Sequence, residues 1–339
     1  MKFVVVGGGK MGLSHLALLT QYVGKCNVAL VDNSFFTRLL FRLLGYKTHS
    51  NIGKINIHNG IKGLIIATPT PTHYVLARWA ISNQIPCFVE KPLTLSTDSS
   101  YDLLKSATVN NSYVQVGFVM RYISSFQKLR NIVTKKYFGK VVSYHASLRG
   151  NVISRKSDNK NWQTDFKRGG GCLNEYGPHI IDLCIYIFGE VDSICTAHKK
   201  HVFSTNADDQ ISFSWNHLNG LTGQVDINWS DPSKRKSVLN FHVKFEFAEL
   251  KVDNSHIEIL WHDNTLNMPD IDFSSTTADV SFYLRGEEFS LEIEDFLGHC
   301  LGDKIIKENS ISDDTTPLLR SGYEVDRLID IIANKVGLK

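Results

Sequence analysis

A glycine-rich turn between an apolar strand and a helix is the feature that most constrains what this chain can fold into. The first predicted strand, residues 2–7, has a short, apolar and mostly β-branched run at its centre, which is typical of a strand buried on both faces. Three consecutive glycines follow, and residues 10–24 then show helical periodicity. Strands and helices continue to alternate in this way to about residue 120. Such alternation predicts an α/β domain with a parallel, doubly wound sheet.

Hydrophobic periodicity locates the other elements of this sheet. Further strands are predicted at residues 27–32, 63–69, 87–92 and 113–117. Helices are predicted at residues 34–45, 72–83 and 97–110. We therefore predict a first domain at residues 1–120.

The spacing of the glycines predicts a function for the turn. Gly7, Gly9 and Gly12 fit the pattern GxGxxG between a strand and a helix. The first glycine permits the tight turn, the second lets the backbone approach a pyrophosphate, and the third lets the helix pack against the strand. A plain strand-to-helix turn is the alternative. The context favours a dinucleotide site, with Lys10 and Met11 inside the cofactor turn.

An acidic residue at the end of the second strand favours one dinucleotide over the other. Asp32 lies 20 residues after Gly12, where a ribose-binding acid is expected. A carboxylate there can accept hydrogen bonds from both adenosine ribose hydroxyls and repels a 2′-phosphate. Arg38, one turn into the next helix, is still close enough to contact a phosphate, and a solvated strand-end acid is the alternative for Asp32. NAD is therefore the predicted cofactor, ahead of NADP.

Composition and charge exclude several classes of protein. The formal net charge is +3 over 339 residues, which argues against a nucleic-acid partner. The six cysteines are scattered without zinc-ligand spacing, so we predict neither a metal site nor a disulfide framework. Reduced thiols and the absence of a signal-peptide pattern before the first strand favour a cytoplasmic location.

No apolar run approaches the ~18 residues of a membrane span, so no membrane partner is predicted. The most apolar predicted helix, at residues 34–45, is interrupted by Arg38 and Arg42.

The pattern changes near Arg121, after which strands dominate. Strands are predicted at residues 140–150, 191–200, 209–217, 220–229, 237–247, 248–254 and 256–262. Helices are predicted at residues 124–139, 172–188, 289–302 and 318–337. This predicts a second, α+β domain at residues 121–339 with a large, mainly antiparallel sheet. One face of the sheet is expected to pack on the helix at residues 172–188, and the other to meet a second subunit, giving a homo-oligomer (dimer or tetramer).

A glycine-led stretch at residues 169–182 carries the candidate chemistry of the second domain. Three glycines precede Glu175, His179 and Asp182, whose spacings of four and three would put them on one face of a helix. A neutral imidazole can take a hydroxyl proton, and an acid one turn earlier can orient it. A satisfied core histidine is the alternative for His179. For Asp182, capping, pairing and substrate binding all stay open.

Three stretches together resemble a known family. They are "ATPTPTH" at residues 67–73, "EKP" at residues 90–92 and the glycine-led stretch at residues 169–182. With the N-terminal turn, they resemble the Gfo/Idh/MocA family of glucose–fructose, inositol and related sugar oxidoreductases over nearly the whole chain. The resemblance implies a Rossmann cofactor domain. It also implies an NAD(P)-dependent reaction on a hydroxyl of a sugar, cyclitol or sugar derivative.

The resemblance also implies roles for individual residues. Besides the glycine turn and Asp32, the implied cofactor contacts are Thr68, Pro69, His73, Glu90, Lys91 and Trp162. Lys91 would lie between nicotinamide and substrate, and His179 matches the catalytic histidine of the family. Glu175 stands where the family usually has aspartate. Pro178 is a second departure, because a proline inside a helix removes one hydrogen bond and would loosen the turn.

Lys91 can also be interpreted without the resemblance. It follows the carboxyl end of a predicted parallel strand, where open α/β sheets bind ligands, although pairing with Glu90 alone is the alternative. The predicted reaction is hydride transfer between a substrate carbon and NAD, while His179 or Lys91 removes the hydroxyl proton. Glu175 and Asp182 are the further candidate substrate contacts. Two other classes stay open: a redox-neutral NAD-dependent glycosidase, and a non-catalytic nucleotide-binding regulator.

Overall fold

A parallel sheet forms the centre of the first of two compact units. Its strands are β1 (Phe3–Val6), β2 (Val28–Val31), β3 (Lys47–His49), β4 (Gly63–Ile66), β5 (Cys87–Val89) and β6 (Val114–Val116). They pair in parallel in the order β3-β2-β1-β4-β5-β6. The structure is a computed structural model, and it describes residues 2–56, 60–154, 162–262, 280, 283–302 and 317–339. The predicted parallel, doubly wound sheet is confirmed.

The five predicted strands of this sheet are all present, and β3 is additional. Its three residues lie at the edge of the sheet and are partly exposed, so they carry no apolar run that periodicity could detect. The helices are α1 (Lys10–Val23), α2 (Phe35–Leu43), α3 (His73–Ser82) and α4 (Thr97–Asn110). α2 begins after Ser34, whose hydroxyl accepts from the amide of Thr37, and α4 begins after Ser96 in the same way.

The first unit contains a segment from the end of the chain. The first unit comprises Met1–Val119 and Ala278–Asp326, whereas the prediction from the sequence placed residues 278–326 in the second domain. The difference comes from α8 (Glu287–Leu301), whose Ile293, Phe296 and Leu297 are buried in the same core as Phe3 and Phe88. Helical periodicity predicts that α8 buries one face, but it does not tell which sheet covers that face.

A second sheet forms the centre of the other unit, Met120–Thr277 and Arg327–Lys339. Its strands are β7 (Val141–Arg149), β8 (Val191–Lys200), β9 (Gln210–His217), β10 (Thr222–Asn228), β11 (Val238–Phe245), β12 (Ala248–Asp253) and β13 (Ile257–Trp261). Their order is β13-β12-β11-β7-β10-β9-β8, with only the β7–β10 pairing parallel. All seven predicted strands are therefore confirmed, as is the mainly antiparallel sheet.

Helices pack on one face of this sheet. They are α5 (Ser124–Lys135), α6 (Cys172–Glu175) and α7 (Gly177–Phe188), while α9 (Leu319–Lys335) ends the chain. Phe126 of α5 packs edge-on against Phe241, and Phe188 of α7 stacks on Tyr144 at a centroid distance of 3.9 Å. The predicted packing of a helix against one sheet face is therefore observed.

The helix predicted at residues 172–188 is in fact two helices. The chain breaks at Tyr176, so Glu175 ends the short α6, whereas His179 and Asp182 belong to α7. The prediction that all three lie on one face of a single helix is therefore wrong. Pro178 lies in the first turn of α7, where an amide would lack an intrahelical partner in any case. The expectation that Pro178 removes a helical hydrogen bond is corrected for the same reason.

Among the helices of the described residues, none combines the length and the apolar character that crossing a bilayer requires.

Candidate cofactor turn and catalytic residues

The glycine turn joins β1 to α1 through close backbone contacts. Gly7 has φ +98°, and a Cβ there would come within 2.5 Å of the Ala67 oxygen. A Cβ on Gly12 would lie 1.8 Å from the Gly7 oxygen, so α1 packs directly on the turn. Gly9, in contrast, has φ −73° and no atom within 4 Å of its Cβ position. The turn is therefore closed towards the protein and open at Gly9, which is where a pyrophosphate approaches the backbone.

The start of α1 suits an anion. Gly9 caps the helix without a side-chain hydrogen bond, and Lys10 is exposed. Amides in the first turn of a helix have no intrahelical acceptor and attract negative charge. Met11 is half-buried, and its sulfur accepts from Arg285 at 3.2 Å.

Asp32 is oriented by the backbone around it. Its Oδ2 accepts from the amide of Gly8 at 2.6 Å, and its Oδ1 accepts from the amide of Ser34 at 2.7 Å. These contacts join the end of β2 to the glycine turn and hold a half-buried carboxylate in place. Arg38 donates to the Asp32 carbonyl at 2.7 Å, so its guanidinium lies beside the same loop.

His73 connects two of the loops that carry predicted cofactor contacts. It is 1% exposed, with Nε2 at 2.8 Å from the Thr68 carbonyl and Nδ1 at 2.9 Å from the Pro92 carbonyl. Burial lowers the pKa of His73, although both carbonyl contacts act in the opposite direction. With both ring nitrogens engaged, His73 joins the loop of Thr68 and Pro69 to the chain at Pro92. A direct contact of His73 with the cofactor stays a prediction.

Glu90 and Lys91 follow β5, at the carboxyl edge of the sheet. Glu90 is nearly buried and its Oε1 lies 2.7 Å from Nε2 of His15 on α1. Burial would raise the pKa of Glu90, but the hydrogen bond and the charges of His15, Lys91 and His73 lower it below its ordinary value. The other carboxylate oxygen, Oε2, accepts from the amide of Lys91 at 3.3 Å, so Glu90 contacts both His15 and the backbone of Lys91.

His15 is a site residue that the sequence did not reveal. It is completely buried on α1, three residues after the glycine turn, and its ring packs edge-on against Phe88 at 5.1 Å. A lone histidine on the apolar side of a helix is a weak signal, since most such residues are ordinary core residues.

The peptide bond between Lys91 and Pro92 is cis.

The second run of glycines is crowded at Gly170 and Gly171. Gly169 has φ +90° and Gly171 has φ +93°. A Cβ on Gly170 would lie 2.4 Å from the carbonyl oxygens of Trp162 and Gln163, and one on Gly171 would lie 2.3 Å from Oδ1 of Asp208. These three glycines therefore allow the chain to pack closely just before α6.

Two adjacent aspartates fix the chain around α6. Asp208 is fully buried and accepts from the amide of Leu173 and the thiol of Cys172, and burial raises its pKa. Asp209 is also fully buried. It accepts from three successive amides at 2.6–2.8 Å, from the hydroxyl of Ser204 and from the indole of Trp229. Burial would raise the pKa of Asp209, but these hydrogen bonds lower it.

Asp182 pairs with Arg121. The guanidinium donates to both carboxylate oxygens, at 2.8 and 2.5 Å, and both side chains are buried. The guanidinium also lies 4.9 Å from the ring centroid of Tyr186. Of the roles left open for Asp182, this geometry favours pairing, so Asp182 anchors α7 one turn after His179.

His179, Glu175 and Trp162 are the remaining predicted site residues of the second unit. His179 lies in the first turn of α7 and Glu175 ends α6, and both are half-buried. Trp162 begins a short 3-10 helix and is 42% exposed, although tryptophan is usually buried. Their contacts with cofactor or substrate stay predictions.

Comparisons with known proteins identify the class. A family model described as "Oxidoreductase family, NAD-binding Rossmann fold" matches residues 1–118, and one described as "GFO/IDH/MocA C-terminal domain" matches residues 126–248. The chain is thus an oxidoreductase with an NAD-binding Rossmann domain. It belongs to the Gfo/Idh/MocA family, as the resemblance implied, and NAD is confirmed as its cofactor.

Individual relatives are more distant. Inositol 2-dehydrogenase from Rhodococcus jostii (strain RHA1) is 26% identical over 162 residues, which is 47% of this chain and 44% of that protein. The match thus spans less than half of that relative. A levoglucosan dehydrogenase in complex with NADH and levoglucosan has a TM-score of 0.82 at 17% identity, covering 99% of this chain and 97% of the other. The WlbA dehydrogenase from Bordetella pertussis, in complex with NADH and UDP-GlcNAcA, has a TM-score of 0.78 at 14% identity, covering 99% and 96%. These TM-scores show that the chain shares their fold.

Proposed function

We propose that this protein is an NAD-dependent dehydrogenase that oxidises a hydroxyl carbon of a sugar, a cyclitol or a sugar derivative. The observation that carries the proposal lies within the first unit. Lys91 follows the carboxyl end of β5, and the glycine turn follows the carboxyl end of β1 in the same parallel sheet. Ligands of open α/β sheets bind at this edge. A cation suited to proton transfer and the cofactor turn thus share one edge.

The chemistry divides between cofactor and protein. NAD, when bound, accepts a hydride from the substrate carbon. The chain's own groups must remove the hydroxyl proton, and Lys91 and His179 are the two that we propose for this step. His15 holds Glu90 through a buried hydrogen bond, which fixes the backbone from which Lys91 extends.

Glu175 is proposed to contact the substrate or His179, in place of the aspartate usual in the family. Because α6 ends at Glu175 and α7 starts two residues later, its carboxylate is not bound to the helical spacing of His179.

Asp32 supports a preference for NAD over NADP, because its carboxylate would lie against a 2′-phosphate.

We also propose that copies of the chain associate through the outer face of the second sheet. Its side chains there are largely polar, among them His145, opposite His242 on the adjacent strand. Such a face favours a hydrated interface. Light scattering of the purified protein would show the oligomer as a mass above 38.2 kDa. The free state of all six cysteines supports a reducing compartment such as the cytoplasm.

The experiment that tests the proposal is a screen of sugars, cyclitols, sugar phosphates and sugar nucleotides with NAD, followed by the absorbance of NADH. We expect one group of structurally related compounds to give turnover. A glycoside that is cleaved without net NADH would instead support the redox-neutral class. Tight NAD binding without turnover of any compound would support the regulator.

A further inference from the structure

α2 exposes more apolar surface than it buries. Phe41 is its only buried residue, at 6% exposure, whereas five large apolar side chains of α2 and that of Leu44, which follows it, are exposed. All of these exposed residues except Phe35 form what we call the α2 apolar face: Phe36, Leu39, Leu40, Leu43 and Leu44. Phe36, Leu40 and Leu43 are 80%, 54% and 78% exposed, and spacings of three and four align them along one side of the helix. A surface of this kind marks an interaction site.

The surroundings of the α2 apolar face are cationic. The sequence between Asn33 and Lys62 contains no aspartate or glutamate, but it contains several lysines and arginines. Lys25 donates to the Leu44 carbonyl at 2.7 Å, so its ammonium lies at the C-terminal end of the face. Arg42 donates to Thr48 on the edge strand β3, next to exposed Lys47. Burial lowers the pKa of His49, and the neighbouring charges of Arg42 and Lys47 act in the same direction.

This charge pattern decides between the possible occupants. A symmetric contact between two copies would place the same patch on both sides, so the arginines and lysines of each copy would face those of the other. An anionic bilayer surface instead offers lipid chains to the phenylalanine and leucines and negative headgroups to the cations. We propose that the α2 apolar face docks on the surface of a membrane that contains anionic lipids.

This inference refines the expectation of no membrane partner. Arg38 and Arg42 interrupt the apolar run and exclude a span, but a helix that lies in the interface needs such cations. The inference does not depend on the proposed dehydrogenase activity. The α2 apolar face does not include Phe35 or Asp32, which lie at the N-terminal end of α2, nearest the predicted adenosine site.

The test is sedimentation of the full-length protein with vesicles of pure phosphatidylcholine and with vesicles that are one-third phosphatidylglycerol. We expect binding to the anionic vesicles and at least about tenfold weaker binding to the neutral ones. Leu40→Ser with Leu43→Ser should weaken binding to the anionic vesicles by about tenfold or more, because two leucines that the bilayer would bury are lost. Arg42→Gln with Lys47→Gln should weaken it by about tenfold.

Matched controls separate this face from general surface hydrophobicity. Val75→Ser with Val109→Ser alters two valines that are also exposed, on α3 and α4 of the same unit, and should leave vesicle binding unchanged. NAD affinity is the check of folding for all variants, since none of these residues belongs to the cofactor turn. The proposal is overturned if the protein does not bind anionic vesicles, or if both leucine and valine pairs weaken binding equally. It is also overturned if Leu40→Ser with Leu43→Ser abolishes self-association in light scattering while vesicle binding persists.

Discussion

The two runs of three glycines, Gly7 to Gly9 and Gly169 to Gly171, have the same composition and different surroundings. In the first, Gly9 has an ordinary φ and open space on its Cβ side. In the second, each glycine has either a positive φ or a backbone or carboxylate oxygen within 2.4 Å of its Cβ position. The first run leaves room for a ligand at its last glycine, Gly9, whereas Gly170 and Gly171 of the second run face protein atoms. Glycine can therefore serve binding in one place and packing in another, and only the neighbours distinguish the two.

The largest expected effects concern the two residues proposed for proton transfer, Lys91 in the first unit and His179 in the second. Lys91→Ala and His179→Ala should each lower kcat by roughly 10²-fold or more, because general acid–base catalysis contributes about that much. NAD affinity, measured by tryptophan fluorescence, should stay nearly unchanged. Lys105→Ala and His198→Ala, at exposed positions of the same two units, are the controls. A residue whose alanine variant keeps wild-type kcat on the true substrate is not the acid–base group.

Gly171→Ala tests packing in the second run. Gly24→Ala is a matched control, because Gly24 has nearly the same backbone (φ +78°, ψ 145° against φ +93°, ψ 153°) but no atom within 4 Å of its Cβ position. Backbone strain should lower the free energy of unfolding of both variants by about 1–3 kcal/mol. Gly171→Ala should lose roughly 1–3 kcal/mol more, because its Cβ meets Asp208. Urea unfolding measures both, and equal losses would mean that Asp208 moves aside without cost.

Gly9→Ala tests the opposite property in the first run. Its φ suits alanine and its Cβ side is open, so the free energy of unfolding should change by less than about 0.5 kcal/mol. NAD affinity should fall by at least about tenfold, because the added methyl occupies the approach of the pyrophosphate. Unchanged NAD affinity would show that the pyrophosphate does not approach the backbone at Gly9.

A smaller effect is expected for Asp32, which should set the preference of the first unit for NAD over NADP. We expect NAD to bind at least about tenfold more tightly than NADP, which corresponds to ~1.4 kcal/mol. Asp32→Asn removes the charge while retaining an oxygen for Gly8, so it should narrow the difference by weakening the repulsion of the 2′-phosphate. Titration of both cofactors measures this, and tighter NADP binding by the wild type contradicts the assigned role of Asp32.

One carboxylate in each unit predicts that the free energy of unfolding depends weakly on pH in the acidic range. The folded-state pKa values of Glu90 and Asp209 are lowered. Their ionised forms therefore stabilise the fold above the ordinary carboxylate range of about pH 4–4.5, and this stabilisation is lost as the pH falls below it. Glu90→Gln should flatten the dependence of the unfolding free energy on pH between about pH 5 and 3, by at most ~1.4 kcal/mol per pH unit. An unchanged slope would mean that Glu90 has the same pKa folded and unfolded.

Local patterns predicted the strands and helices well. All twelve predicted strands formed, because the sequence itself displays apolar, β-branched runs for the buried strands and turn residues between the more exposed ones. β3 lacks such a run, and the helix predicted at residues 172–188 divides at Tyr176, where the periodicity continues but the backbone does not.

The amino-acid sequence by itself determined the alternation of strands and helices, the spacing of Gly7, Gly9 and Gly12, and the placement of Lys91 after a strand. These properties depend on neighbours a few residues apart. The tertiary structure alone decided that His15 holds Glu90, 75 residues away, and that Arg121 holds Asp182, 61 residues away. It also decided that α8 completes the first core and that α2 leaves its apolar face exposed. The physical reason is that burial and pairing depend on which surfaces meet in the folded chain, and periodicity within one element does not specify the partner.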